Sequence, residues 1–189
     1  NTIKFDKWFS RQKKNMFFSV SRKKLSKLRK WKIDQDNIRH QSGKFFKIIG
    51  IRVKTNFNIK KTWDQPMILQ KEKGILGIIR RKHKDHFQYL IQAKMEPGNI
   101  NKLQLSPTVQ ATKSNYTRVH SGKKVLYLDF FIRKKKNFTL VNSQQSEQGG
   151  RYLFKFNNNI LLNLNRNIKP ASNYIWLDKN HLTQLINKN

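Results

Sequence analysis

The stretch between Gly74 and Met95 constrains the fold more than any other part of the chain. Residues 74–81 (GILGIIRR) and 87–95 (FQYLIQAKM) are two apolar runs of strand length, separated by the polar group His83-Lys84-Asp85-His86. Apolar runs of this length flanking a short polar connection predict an antiparallel pair. A hairpin alone is marginal in water, so further strands or helices must cover it. The candidates are residues 43–54 (GKFFKIIGIRVK), 67–70, 124–131 (KVLYLDFF, expected to be a strand buried on both faces), and a second hairpin of 152–156 with 160–164 turning at Asn157-Asn158-Asn159. Ser21 is expected to cap a short helix burying Leu25, Leu28 and Trp31. Asp178 or Asn180 is expected to cap a C-terminal helix carrying Leu182, Leu185 and Ile186. The sum is an α+β chain, a mixed and mostly antiparallel sheet flanked by helices. Residues 1–35 read as a basic helical lead-in and 36–189 as the domain proper.

Charge narrows the function classes. The chain has 41 Lys and Arg against 10 Asp and Glu, a net charge of +31. That raises nucleic acid or an acidic membrane as partners. The distribution argues against nucleic acid as the main business of the fold. Residues 1–62 hold 19 basic and 3 acidic side chains, whereas residues 63–129, where the densest polar chemistry lies, hold 12 and 5. The absence of cysteine excludes a disulfide scaffold and a cysteine nucleophile. No apolar run approaches the ~18 residues of a membrane span, and no signal-peptide pattern is present. A cytoplasmic location is the expectation, with the true start expected upstream because the sequence opens on Asn.

Three segments carry candidate chemistry. Glu96-Pro97-Gly98-Asn99 follows an apolar strand, and Pro then Gly suits a sharp turn. It reads equally as a plain strand end or as a carboxylate held at the rim of a sheet. From Gln104 to Ser114, the even positions are Gln, Ser, Thr, Gln, Thr and Ser. In an extended chain these neutral donors and acceptors line one face, exposed to solvent or facing a sugar pocket. In Asn115-Tyr116-Thr117-Arg118-Val119-His120, the histidine is a candidate acid or base, although a lone His is more often structural. Arg118 is a candidate phosphate ligand. The five histidines lack metal-ligand spacing, and no phosphate-cradling glycine loop or dinucleotide fingerprint occurs.

These residues resemble the NDP-hexose 2,3-dehydratases of deoxysugar biosynthesis. The resemblance rests on Trp63-Asp64-Gln65-Pro66, Gly74-Ile75-Leu76-Gly77, Gln92-Ala93-Lys94-Met95-Glu96-Pro97-Gly98-Asn99 and the run from Gln104 to His120. It extends upstream through Asn37-Ile38-Arg39-His40 and Gly43-Lys44-Phe45-Phe46. Downstream it takes in Gln145-Ser146-Glu147-Gln148-Gly149-Gly150-Arg151 and Tyr174-Ile175-Trp176-Leu177. It implies a Nudix-like fold without the acid-rich magnesium-binding Nudix box, and a single repeat most like the first of the usual two. It also implies a homodimer and a thymidine-diphosphate-linked 4-keto-6-deoxyglucose substrate, with neither metal nor cofactor. The implied reaction removes the carbon-2 hydroxyl and gives a 3,4-diketo-2,6-dideoxy sugar. Glu96, His120 and Tyr116 are the resulting catalytic candidates. Trp63, Gln65, Lys94, Asn99, Gln104, Gln110, Thr112, Ser114, Asn115, Arg118 and Arg151 are the substrate-binding candidates. The competing readings are a catalytically silent sugar-nucleotide-binding repeat and, with less support, a basic nucleic-acid binder using residues 11–32.

Overall fold

A computed structural model describes residues 2–57, 59–112, 124–133 and 138–188. Helix α1 (Thr2–Asn15) opens the chain, followed by a single 3-10 turn at Leu25–Lys27. Strands β1 (Trp31–Ile33), β2 (Asn37–His40), β3 (Lys47–Lys54) and β4 (Thr62–Leu69) form a four-stranded antiparallel sheet in that order. The second sheet has seven strands: β5 (Gly74–His83), β6 (His86–Met95), β7 (Leu103–Ser106), β8 (Val109–Thr112), β9 (Thr139–Ser146), β10 (Phe156–Asn163) and β11 (Tyr174–Asp178). Its order is β11-β6-β5-β10-β9, with β7 on β6 and β8 on β5. Among the described strands of this sheet, every pairing is antiparallel except β5 with β10. Helices α2 (Leu128–Ile132) and α3 (Lys179–Asn187) complete the described elements. The fold is thus α+β with a mostly antiparallel sheet and few helices.

The central hairpin forms where the sequence places it, then splits. β5 and β6 pair from His83↔His86 back to Ile79↔Leu90. Beyond that point β8 pairs with Gly74–Gly77 of β5, and β7 pairs with Gln92–Met95 of β6. Thr108 sits at the fork, fully buried. Its Oγ1 accepts from the Ile79 amide at 2.9 Å and donates to the Leu90 carbonyl, while its own carbonyl accepts from the Tyr174 hydroxyl at 3.2 Å. A single hydroxyl therefore satisfies a backbone donor and an acceptor where the two strands separate.

Apolar clusters cover both faces, as expected where Leu90 and Ile91 are consecutive strand residues. One holds Ile79, Leu90, Val109, Phe131, Ile160, Leu162 and Tyr174. The other holds Ile91, Ala93, Leu103 and Leu177 beneath Phe5 and Trp8 of α1. Trp8 Nε1 and Gln12 Nε2 both donate to the Ser172 carbonyl, at 3.0 and 2.8 Å, and fix α1 to the loop before β11.

Three expectations are corrected. Residues 124–131 form a turn and the short helix α2, not a strand; Tyr127 takes φ 63° at its start, and Phe131 lies fully buried over Gly77. Asn157-Asn158-Asn159 is no turn. β10 runs straight through it, hydrogen-bonded to β5 on one edge and β9 on the other. Pairing on both edges outweighs the low strand preference of Asn. The Ser21-capped helix shrinks to the 3-10 turn without a side-chain cap, and Leu25 is exposed. Its six cations between Arg22 and Lys30 would crowd on one short helix with little apolar surface to offset them. The C-terminal cap forms as read: Asp178 accepts from the His181 amide at 2.8 Å.

Candidate active site

One end of the seven-stranded sheet gathers the polar chemistry. There β5 and β10 begin, β6, β8 and β9 end, and a cavity of about 520 Å³ opens among them. Ends of neighbouring strands and the connections between them bring distant sequence positions together, which suits a binding site. β6 contributes Gln92 and Lys94, with Glu96 just beyond its end; β8 contributes Gln110 and Thr112. Glu147 follows β9, and Lys155 and Asn157 flank the start of β10. Among the described residues, Gln70, Tyr152, Tyr174 and Lys124 complete the polar lining.

Two carboxylates enter this space, each held differently. Lys94 Nζ, near the end of β6, lies 2.7 Å from Oε1 of Glu96, two residues on. Glu147 Oε2 accepts from Asn157 Nδ2 at 2.6 Å. Asn157 is itself buried and lies over Gly74: a Cβ on residue 74 would come within 2.1 Å of Asn157 Oδ1. The glycine therefore makes room for the amide that orients the carboxylate. Lys155 is the only buried cation among the described residues, at 7% exposure. Its Nζ donates to the Glu72 carbonyl at 3.0 Å. Burial pushes its pKa below the ordinary lysine value, with the carboxylates of Glu147 and Glu72 opposing that shift. Burial, with Tyr127 nearby, raises the pKa of the Tyr174 hydroxyl well above that of a free phenol. Tyr174 is therefore a neutral donor rather than a base.

The sequence candidates divide into three groups. Glu96, Lys94, Gln110 and Thr112 meet at the cavity. Trp63, Gln65, Asn99, Gln104 and Arg151 do not line it. Trp63 Nε1 donates to Gln65 Oε1 at 2.7 Å, and Gln65 Nε2 donates to the Gly150 carbonyl at 3.1 Å, pinning that loop to β4. The Arg151 carbonyl accepts from the Ile68 amide at 2.7 Å. Asn99 Nδ2 closes its own turn onto the Lys102 carbonyl, and Gln104 is exposed on β7. Ser114, Asn115, Tyr116, Arg118 and His120 lie outside the described residues. Sequence reasoning passed over Glu147, Lys155 and Asn157. Glu147 carried a signal, being one of only two acids after residue 129. A lysine between two phenylalanines, Phe154 and Phe156, was another. Among the described residues no group of three or more His, Asp or Glu side chains is placed to hold a metal, and no helix is long and apolar enough to cross a membrane.

Comparison with known proteins adds a finding of a different kind. Residues 2–189 match a family described as NDP-hexose 2,3-dehydratase. The chain is 38% identical over 187 residues to a dTDP-4-dehydro-6-deoxy-alpha-D-glucopyranose 2,3-dehydratase of Saccharopolyspora spinosa, covering 98% of this chain and 38% of that protein. It is 38% identical over 189 residues to a protein of the same name from Streptomyces violaceoruber, covering 98% of this chain and 43% of that one. The chain spans about two fifths of the length of the relatives it matches.

Proposed function

Since the chain belongs to the NDP-hexose 2,3-dehydratase family, we propose that its cavity takes a thymidine-diphosphate-linked 4-keto-6-deoxyglucose and removes water across carbons 2 and 3. The observation that carries this reading is the meeting of Glu96 and Glu147 with Lys94, Lys124 and Lys155 around one cavity. Acidic and basic groups for proton transfer stand beside two more exposed lysines, Lys94 and Lys124, for a diphosphate.

The carbon-3 hydrogen is acidified by the carbon-4 ketone. Glu96, directed by Lys94, is the base that removes it. The electron pair moves onto the carbon-4 oxygen, then returns to expel the carbon-2 hydroxyl, which leaves as water once protonated. The enol left at carbon 3 becomes a ketone, giving the 3,4-diketo-2,6-dideoxy sugar. No hydride moves, so the reaction needs no nicotinamide. His120 and Tyr116 remain the candidates for the acid and for a further hydroxyl donor, and Arg118 for the phosphates. Gln110 and Thr112 offer neutral hydrogen bonds to sugar hydroxyls. The fold is of Nudix type, the protein works in the cytoplasm, and two copies pair as a homodimer.

Incubation with the nucleotide sugar followed by mass spectrometry tests the reading. Loss of one water supports it, and Glu96→Gln should slow that loss by about 10²–10⁴-fold. Tight binding without water loss would point to a silent repeat, and near-normal turnover by Glu96→Gln would reassign the base.

A further inference from the structure

The mechanism above leaves the best-held cation in the cavity without a task. A chain carrying 41 Lys and Arg has no shortage of surface charge, yet Lys155 is buried. Three separate contacts fix it. Its Nζ donates to the Glu72 carbonyl at 3.0 Å, its carbonyl accepts from the Glu147 amide at 2.9 Å, and its ammonium lies 6.0 Å from the centre of the Tyr152 ring. Two residues on, Asn157 holds the Glu147 carboxylate at 2.6 Å. An ammonium has three protons and, among the described residues, the Glu72 carbonyl takes one, which leaves two to offer a ligand in the cavity.

We infer that Lys155 binds the carbon-4 oxygen of the sugar and carries the negative charge that appears there when the carbon-3 proton leaves. The inference rests on the function proposed above. A neutral ketone gains little from a buried ammonium, whereas an enolate oxygen gains much, so the interaction favours the transition state over the bound substrate. Lys94 and Lys124, more exposed in their ion pairs with Glu96 and Asp129, suit a diphosphate that stays charged throughout. Lys155 remains an ammonium from start to finish. The proton goes from carbon 3 to the base, the electron pair goes to the carbon-4 oxygen and back, and no bond forms between lysine and sugar. The depressed pKa of Lys155 agrees with a cation held short of solvent and ready for an anionic partner.

The test uses heavy water, reading both deuterium uptake at carbon 3 of the recovered substrate and loss of water. Lys155→Met should lower both by about 10²–10³-fold, while thymidine diphosphate affinity, measured by calorimetry, stays within about threefold. Lys155→Ala should regain activity when methylammonium is added, which a purely structural lysine would not show. A folded Lys155→Met protein with near-parental exchange overturns the inference alone. So does a rate loss matched by lost nucleotide affinity and unrescued by the amine. A parent chain that neither exchanges nor eliminates overturns the proposed function as well.

Discussion

Thr108 shows how much of this fold can rest on one hydroxyl. It bonds the Ile79 amide and the Leu90 carbonyl where β5 and β6 part. Thr108→Val keeps the shape and leaves a buried donor and acceptor unpaired, which should lower unfolding stability by about 2–3 kcal/mol. Thr108→Ser should recover most of it, and urea titration reads both. Lys155 gives a pH-dependent counterpart. Its folded pKa lies below 10.5, so the unfolded chain holds this proton more tightly. The buried charge therefore costs stability below the folded value, and the cost disappears as pH climbs towards 10.5. The parent should gain on Lys155→Met across that alkaline range. A difference that stays flat in denaturant midpoints would mean the ammonium is not desolvated. Thr108 was not legible beforehand, and Lys155 only through its two phenylalanine neighbours. Thr108 stood in an alternating polar row whose spacing put it on the same face as Gln110, and only the fork turns it inward. Lys155 has little beyond Phe154 and Phe156 to set it apart until the fold buries it.

At the scale of elements, strongly patterned segments were readable and short apolar ones were not. The β5–β6 pair and the Asp178 cap follow from local chemistry that tertiary packing did not overrule. Residues 124–131 misled because a short, mostly apolar run fits a buried strand or a buried helix equally well. What decides it is Gly77, whose missing side chain admits the Phe131 ring from α2. A Cβ there would come within 2.3 Å of the ring. Gly77→Ala should cost about 1–3 kcal/mol through overpacking. Phe131→Leu should restore part of that loss in the double variant, so a cycle of thermal or urea melts should show strong coupling. Additive costs would mean that α2 does not lean on β5. Glu147 and Asn157 escaped for a related reason: the sequence separates them from Glu96 by most of the second half, and only the parallel β5–β10 pairing brings them to the same sheet end.

The whole molecule carries +31, and the charge is not concentrated where the chemistry is. Residues 1–62 hold the largest share, in α1, the segment after it and the four-stranded sheet. The cavity instead balances Lys94, Lys124 and Lys155 with Glu96 and Glu147. Two kinds of anion should therefore behave differently. A nucleic acid engages the solvated surface cations, releases counterions and loses affinity steeply with salt. With six to ten phosphates contacted, the loss is about 10³–10⁵-fold between roughly 50 and 200 mM. A thymidine diphosphate bound in the cavity meets a few partly shielded cations, where screening by salt is weaker. Its affinity should fall by no more than about tenfold over the same range. Parallel titrations with a short DNA duplex and with thymidine diphosphate make the comparison directly. If both fall with the same steep slope, the nucleotide is held by the general surface field and not by the cavity. If only the duplex falls steeply, the surface charge is a solvated coat and the recognition of substrate lies at the end of the sheet.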